Sequence, residues 1–156
     1  MNIAIDIGGV AVERALAYES DSTSFDIEFK TNFIAVITML CDLGHTLFFN
    51  SYCGQKREGK TRNDFRLVND LVSAIPESNW HFVRKRKRKA DVCDTIQADI
   101  MIDDTLNICV MLKEYGVKHV FWFSNDESHS DLVESLQIIQ VKSWDEIYQK
   151  ICDLKS

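Results

Sequence analysis

Proline and glycine are scarce in this chain of 156 residues, which contains one proline, Pro76, and six glycines. Stretches rich in these residues often mark linkers, so their scarcity argues against a chain divided by flexible connections. No apolar run in the sequence is long enough to cross a membrane. The length suits one hydrophobic core, and we expect residues 1–156 to form a single domain.

The sequence also lacks a net positive charge, cysteines with zinc-ligand spacing and a signal peptide, and each absence argues against a class of protein. The net charge is −6, so the chain lacks a global positive field for nucleic acid. The five cysteines are odd in number and do not have zinc-ligand spacing. The first apolar run begins almost at Met1, which leaves no room for a signal peptide. We therefore expect a cytoplasmic protein with free thiols and no membrane partner.

Apolar periodicity predicts the fold class. Short apolar runs predict five strands at residues 3–5, 46–49, 80–83, 100–102 and 120–123, with a sixth at 138–141. Helical spacing of apolar residues predicts helices at 33–40, 56–75, 90–96, 106–115 and 144–154. Alternating strands and helices are typical of an α/β protein. We expect a three-layer, Rossmann-like fold with a parallel sheet of five or six strands and helices on both faces.

Polar residues follow three of the predicted strands. Asp6 ends the first strand, Asn50 and Ser51 follow the second, and Asp103–Asp104 follows the fourth. The carboxyl ends of parallel strands form the crevice in which open α/β sheets bind ligands. Each residue also has a structural interpretation: a turn for Asp6, and helix capping for Ser51 and the acidic pair. Either Asn50 or Ser51 can be the side chain that points inward.

Carboxylates that converge in one crevice are costly unless a cation lies between them. Oxygen ligands of this kind suit Mg²⁺. A metal, a lysine and a small hydroxyl or amide together suit a phosphate group, because each neutralises or hydrogen-bonds one of its oxygens. The paired glycines after Asp6 let a bound group approach the main chain closely. The candidate phosphate-binding residues are therefore Gly9, either Asn50 or Ser51, and a lysine from the segment Arg84–Lys89.

The segment Arg84–Lys89 consists of six consecutive cations. Such a run is most often a solvated face of a protein. It can also supply one phosphate-binding lysine, which needs only Lys89 or Lys87. A nucleic-acid or polyphosphate surface beside the crevice is a third interpretation. The sequence favours the first two interpretations together and leaves nucleic acid as a weaker candidate partner.

The order of these residues resembles the haloacid dehalogenase superfamily of phosphohydrolases. The first motif of that superfamily is an apolar strand that ends in Asp-x-Asp-Gly-(Val/Thr), and it occurs here as Ile5-Asp6-Ile7-Gly8-Gly9-Val10. The second motif, a Ser or Thr after the next strand, is matched loosely by Ser51. Lys89 fits the lysine of the third motif best, and Asp103–Asp104 matches the acidic pair of the fourth. A chain opening on Asp-Ile-Gly-Gly is also known in actin-like sugar kinases, but these need two such domains and a longer chain.

This resemblance implies a role for each matching residue. Asp6 would be the catalytic nucleophile, forming an aspartyl-phosphate, and also a Mg²⁺ ligand. The backbone carbonyl of Gly8 and the carboxylates of Asp103 and Asp104 would complete the metal site. Ser51 and Lys89 would hold the phosphoryl oxygens, with Lys89 as the second catalytic residue.

Two departures from the family pattern affect the expected function. Gly8 replaces the second acidic residue of the first motif, the general acid/base, whose contribution is typically about 10²- to 10⁴-fold in rate. The segment Ala11–Lys30 has room only for a turn and a small hairpin. The resemblance therefore implies a capless member, in which this hairpin is at most a minimal cap. We expect an impaired Mg²⁺-dependent phosphohydrolase acting on a phosphomonoester of a small molecule or a macromolecule. The alternative is a catalytically degenerate module that binds a partner or a phosphorylated ligand.

Overall fold

The computed structural model describes residues 1–13 and 27–154. In chain order, its strands are β1 (Asn2–Ile5), β2 (Thr46–Tyr52), β3 (Trp80–Val83), β4 (Ile100–Asp103), β5 (His119–Phe123) and β6 (Ile139–Val141). They form one parallel sheet in the order β3-β2-β1-β4-β5-β6. The predicted parallel sheet is confirmed, and β1 lies between the two strands that carry the other polar candidates.

Helices cover both faces of this sheet. In chain order, they are α1 (Phe33–Asp42), α2 (Gln55–Arg66), α3 (Asn69–Ala74), α4 (Arg88–Thr95), α5 (Leu106–Tyr115), α6 (Ser130–Ser135) and α7 (Trp144–Leu154). Successive strand residues point to opposite faces. Ile3 and Ile5 accordingly join the core formed with α1, α2, α3 and α7, whereas Ala4 joins the core formed with α4, α5 and α6. The predicted three-layer, Rossmann-like architecture is confirmed.

Strand β2 is longer than the sequence predicts. The prediction ends it at Phe49 and places Asn50 and Ser51 in a loop, which is wrong because both lie within the strand. Asn50 pairs with His81 and Ser51 with Phe82 across β2 and β3. These ladder contacts outweigh the weak strand preference of asparagine and serine.

The single helix predicted over residues 56–75 is divided into α2 and α3. Val68 has an extended backbone, with φ −105° and ψ 96°, and interrupts the helical path. Phe65 and Leu71 are both fully buried in the same core. In one continuous helix, six residues at about 100° each would leave these side chains pointing about 120° apart, so the break allows both to face the sheet.

The structure also bears on the expectations about the cysteines, membrane spans and the segment between β1 and α1. The five cysteines are free thiols. No helix in the described part of the chain is long and apolar enough to span a membrane. The turn and small hairpin expected within Ala11–Lys30 fall largely on residues 14–26, which lie outside the described residues. Within the described part of that segment, Phe29 forms an isolated antiparallel bridge with Val12.

Candidate functional site

Neighbouring strands bring the acidic candidates together. Asp6 follows β1, and its backbone N–H donates a hydrogen bond of 3.0 Å to the Ile102 carbonyl on β4. Asp103 ends β4, and Asp104 comes next. One carboxylate oxygen from each of Asp6, Asp103 and Asp104 lies within 4.8 Å of the others. We call these three residues the acidic cluster.

Lys89 reaches the acidic cluster from α4 on the neighbouring crossover. Its ammonium Nζ donates hydrogen bonds of 2.9 Å to Asp6 Oδ1 and 2.7 Å to Asp103 Oδ2. The side chains of Lys89 and Asp103 are 2% and 0% exposed, so the ion pairs are shielded from water. Burial lowers the pKa of Lys89, but Asp6 and Asp103 raise it more, and it stands well above its usual value. Lys89 is therefore a fixed positive charge.

The acidic cluster holds more negative charge than one ammonium neutralises. Burial, and then repulsion by Asp6, raise the pKa of Asp103 to about 6. Burial also raises the pKa of Asp6, although Lys89 acts in the opposite direction. Three converging carboxylate oxygens with this charge excess are a donor set suited to a divalent cation such as Mg²⁺. The residues present therefore fit a metal.

The turn after β4 holds the acidic pair in place. The Thr105 backbone N–H donates a 3.0 Å hydrogen bond to Asp103 Oδ1, and the Thr105 hydroxyl lies 3.3 Å from Asp104 Oδ1. The Trp122 indole N–H donates to the Asp104 carbonyl at 3.1 Å. The helix-capping role considered for the acidic pair is wrong, because the N-cap residue of α5 is Thr105 and no side chain caps this helix. Asp103 instead accepts a hydrogen bond from the backbone N–H of Thr105 and so fixes the turn that leads into α5.

Gly9 makes room for the Asp104 carboxylate. Its φ is +81°, and a Cβ atom added there would lie 2.1 Å from Asp104 Oδ2. The sequence predicts that Gly9 binds phosphate, but its N–H donates a 2.9 Å hydrogen bond to the Val12 carbonyl. That amide is therefore engaged within the loop, and we assign Gly9 a role in accommodating the acidic cluster.

The long β2 strand separates the roles of Asn50 and Ser51. Ser51 lines the cleft above Asp6, together with Gly8 and Lys89. Asn50 is fully buried and donates a 3.0 Å hydrogen bond to the Lys89 backbone carbonyl, with Cys93 Sγ 3.5 Å away. The candidate phosphate ligand in β2 is thus Ser51, while Asn50 anchors α4.

The residues of the cationic run Arg84–Lys89 likewise have different positions and roles. Lys89 is buried in the first turn of α4, which begins at Arg88, two residues before the predicted helix start at residue 90, and Lys87 is exposed. Arg84 pairs with Glu58 at 2.7 Å, and the Arg86 guanidinium lies 5.4 Å from the centre of the exposed Tyr52 ring. One cation therefore serves the acidic cluster and the others are at the surface, as the sequence favours.

Several cleft residues were not identified from the sequence. Arg57 and Thr61 contribute to the cleft from α2, Arg86 from the cationic run, and Thr105 from the turn before α5. An arginine in a highly charged helix carries no sequence pattern that distinguishes it from a solvated residue. These side chains come from three separate segments, and only the tertiary structure shows that they line one cleft.

Comparisons with known proteins support the fold. Neither a family model nor a curated protein matches the sequence. Among solved structures, a D,D-heptose 1,7-bisphosphate phosphatase from B. bronchiseptica, complexed with magnesium and phosphate, is 10% identical. The alignment covers 97% of this chain and 98% of that one, with a TM-score of 0.69. A haloacid dehalogenase-superfamily hydrolase from Ehrlichia chaffeensis is 12% identical over 99% and 97% of the two chains, with a TM-score of 0.68.

A third solved structure completes the comparison. The cobalt-bound deoxy-D-mannose-octulosonate 8-phosphate phosphatase from Haemophilus influenzae is 13% identical, covering 97% of this chain and 86% of that one, with a TM-score of 0.66. The chain therefore has the fold of the haloacid dehalogenase superfamily. This agrees with the resemblance drawn from the four sequence motifs.

Proposed function

We propose that this protein is a Mg²⁺-dependent phosphohydrolase in which Asp6 attacks the phosphorus of a phosphate ester. The observation that carries the proposal is the acidic cluster, in which Asp6 and Asp103 are buried and Lys89 is bound between them. Such an arrangement offers a nucleophile, a cation site and a fixed positive charge within one cleft. The fold of known phosphatases, one of them solved with magnesium and phosphate and another with cobalt, supports the same interpretation.

The metal would be held by the carboxylates of Asp6, Asp103 and Asp104 and by the Gly8 carbonyl. When bound, Mg²⁺ would neutralise the carboxylates and the phosphate oxygens, which lowers the repulsion between the nucleophile and its anionic target. The turn at Thr105 and the space at Gly9 keep the acidic cluster arranged for this purpose.

The remaining cleft residues would position the phosphoryl group. Lys89 keeps its charge and would stabilise negative charge on the transferred group. The Ser51 hydroxyl at the end of β2 would hydrogen-bond a second phosphoryl oxygen. Asp6 would then form the new oxygen–phosphorus bond as the ester bond breaks, giving an aspartyl-phosphate that water hydrolyses.

Gly8 limits this cycle because it has no side chain to donate or accept a proton. A general acid/base is typically worth about 10²- to 10⁴-fold, and both the formation and the hydrolysis of the aspartyl-phosphate lack it. We therefore expect slow turnover. Where the leaving group is good, we expect a burst of about one product per protein before the slow phase, because hydrolysis of the intermediate becomes limiting.

The test is release of p-nitrophenol and phosphate from p-nitrophenyl phosphate, with and without Mg²⁺. An aryl leaving group needs little protonation, so the absence of an acid matters least with this substrate. We expect Mg²⁺-dependent release that Asp6→Asn abolishes. Asp64→Asn is the matched control, because Asp64 is a buried aspartate paired with Lys60 at 2.9 Å outside the acidic cluster. Equal activity in Asp6→Asn and wild type would refute Asp6 as nucleophile.

Gly8 also favours a second candidate, a non-catalytic module that binds a phosphorylated ligand or a partner. This candidate predicts no turnover of any phosphoester, with or without metal. The variant Gly8→Asp separates the two candidates. A large gain in hydrolysis would show a complete site that lacks only its acid, whereas no gain would favour the binding module.

A further inference from the structure

The cleft above Asp6 contains cations but little that could protonate a leaving group. Among its described lining residues, Asp6 is the only one with a carboxyl group, and none has an imidazole. Two arginines, Arg57 and Arg86, line the same cleft. The cleft therefore presents positive charge, and its other dissociable protons belong to weak acids: the phenol, thiol and ammonium groups of Tyr52, Cys53 and Lys89.

The two arginines lie on the outer side of the cleft. Asp6 is 7% exposed and forms the floor, whereas Arg86 is an exposed residue lying over the Tyr52 ring. Arg57 is half-buried in the first turn of α2. In an in-line displacement, the leaving oxygen departs on the side of the phosphorus opposite the nucleophile. A leaving group displaced by Asp6 would thus move towards the arginines.

A leaving group that suits this cleft must be a weak base, because Asp6 is the only described lining residue with a carboxyl group and none has an imidazole that could protonate it. It must also carry anionic oxygens besides the departing one, so that guanidinium groups can bind it. An alkyl phosphate satisfies neither condition, and an aryl phosphate satisfies only the first, because its aryloxide has no second anionic oxygen. Phosphate itself satisfies both, since arginine binds phosphate oxygens in a bidentate, charge-assisted manner. A phosphate leaving group means that the scissile bond is a phosphoanhydride.

We propose that the substrate of this site is a phosphoanhydride, cleaved with a phosphate or a phosphorylated group as the leaving group at Arg57 and Arg86. An Asp6 oxygen bonds to the terminal phosphorus, and the bond from that phosphorus to the bridging oxygen breaks, leaving its electron pair on the departing phosphate. Water then attacks the phosphorus of the aspartyl-phosphate, and the bond from phosphorus to the Asp6 oxygen breaks with its electron pair returning to the carboxylate. The second phosphate leaves with one proton of the water, and the other proton passes to solvent. The inference rests on the proposed function and specifies its substrate class.

The experiment compares three probes with Mg²⁺ present: inorganic pyrophosphate, p-nitrophenyl phosphate and β-glycerophosphate. Comparing β-glycerophosphate, an alkyl phosphate, with p-nitrophenyl phosphate, an aryl phosphate, measures the effect of leaving-group basicity. Comparing p-nitrophenyl phosphate with pyrophosphate tests the effect of the additional anionic oxygens on the leaving group, which the arginines can bind. We expect kcat/KM to be highest for pyrophosphate and lowest for β-glycerophosphate. The values for p-nitrophenyl phosphate and β-glycerophosphate should differ by about 100-fold or more, because the general acid is absent.

The variants Arg57→Gln and Arg86→Gln assign the charge effect. Each should lower kcat/KM for pyrophosphate by about 10- to 100-fold, the value of a charged hydrogen bond. Each should also lower the ratio of kcat/KM for pyrophosphate to kcat/KM for p-nitrophenyl phosphate. Arg88→Gln is the matched control, because Arg88 belongs to the same cationic run but pairs with Asp91 at 2.9 Å outside the cleft. Its ratio should equal that of wild type.

The outcomes separate this inference from the proposed function. Hydrolysis of p-nitrophenyl phosphate without any preference for pyrophosphate overturns the phosphoanhydride inference and leaves the phosphohydrolase intact. A preference for pyrophosphate that survives in both arginine variants overturns the assignment of the leaving-group site. Failure to hydrolyse any probe overturns the proposed function, and this inference with it.

Discussion

Replacing Gly9 with alanine is expected to remove metal binding while the fold is retained. Two effects act at this position. The φ of +81° is unfavourable for an L-residue by roughly 1–2 kcal/mol. In addition, the new Cβ would lie 2.1 Å from Asp104 Oδ2 and 2.7 Å from its Cγ, so the Asp104 carboxylate has to move.

The two effects can be measured separately with a control glycine. Gly44 has a φ of +91°, and an added Cβ there has no neighbour within 4 Å. Gly44→Ala should therefore lose roughly 1–2 kcal/mol of unfolding free energy through the backbone alone. Gly9→Ala should lose at least as much and should also displace one ligand of the acidic cluster.

The assay is urea unfolding with and without Mg²⁺. A metal that binds only the folded state, at about 100 times its dissociation constant, adds about 2.7 kcal/mol to the free energy of unfolding. Wild type and Gly44→Ala should gain this amount, and Gly9→Ala should lose most of it. An undiminished Mg²⁺ effect in Gly9→Ala would refute the reasoning that places Asp104 in the metal site.

Three further outcomes are expected. Lys89→Met leaves buried carboxylates without their cation and should cost about 3–5 kcal/mol in urea unfolding, and a loss below about 1 kcal/mol would contradict the described ion pairs. Because the pKa of Asp103 is raised to about 6, the metal-free protein should lose unfolding free energy as pH rises from about 4 to about 6. Mg²⁺ stabilisation should grow over that interval, and a flat profile in both titrations would count against a buried Asp103. Ser51→Ala should raise KM with little change in stability, whereas Asn50→Ala should lower stability by about 1–3 kcal/mol, and a reversed pattern would exchange their roles.

The meeting of Asp6 with the acidic pair could be predicted from the sequence. Short apolar runs identified the strands, and the alternation of strands with helices required a parallel sheet. The carboxyl ends of parallel strands lie on one edge, so the residues that follow them share a crevice. Because β1 is hydrogen-bonded to β4, Asp6 and Asp103 are direct neighbours there.

The choice between adjacent residues could not be predicted in the same way. Whether Asn50 or Ser51 faces the cleft depends on how far β2 continues, and its pairing with β3 decides this. Whether Lys87 or Lys89 reaches Asp6 depends on the rotation of α4, which begins within a run of like charges. Nothing in such a run distinguishes one cation from the next, so tertiary packing makes the selection.

The most direct test of the account is a mass measurement of the Asp6 peptide after brief reaction with p-nitrophenyl phosphate, Mg²⁺ and an acid quench. Because Gly8 supplies no base to activate the hydrolytic water, the aspartyl-phosphate should accumulate. We expect the peptide to gain the mass of one phosphoryl group, in step with the burst of p-nitrophenol, and the gain to disappear in Asp6→Asn. Release of p-nitrophenol with no phosphoryl group on the Asp6 peptide at any reaction time would contradict the account.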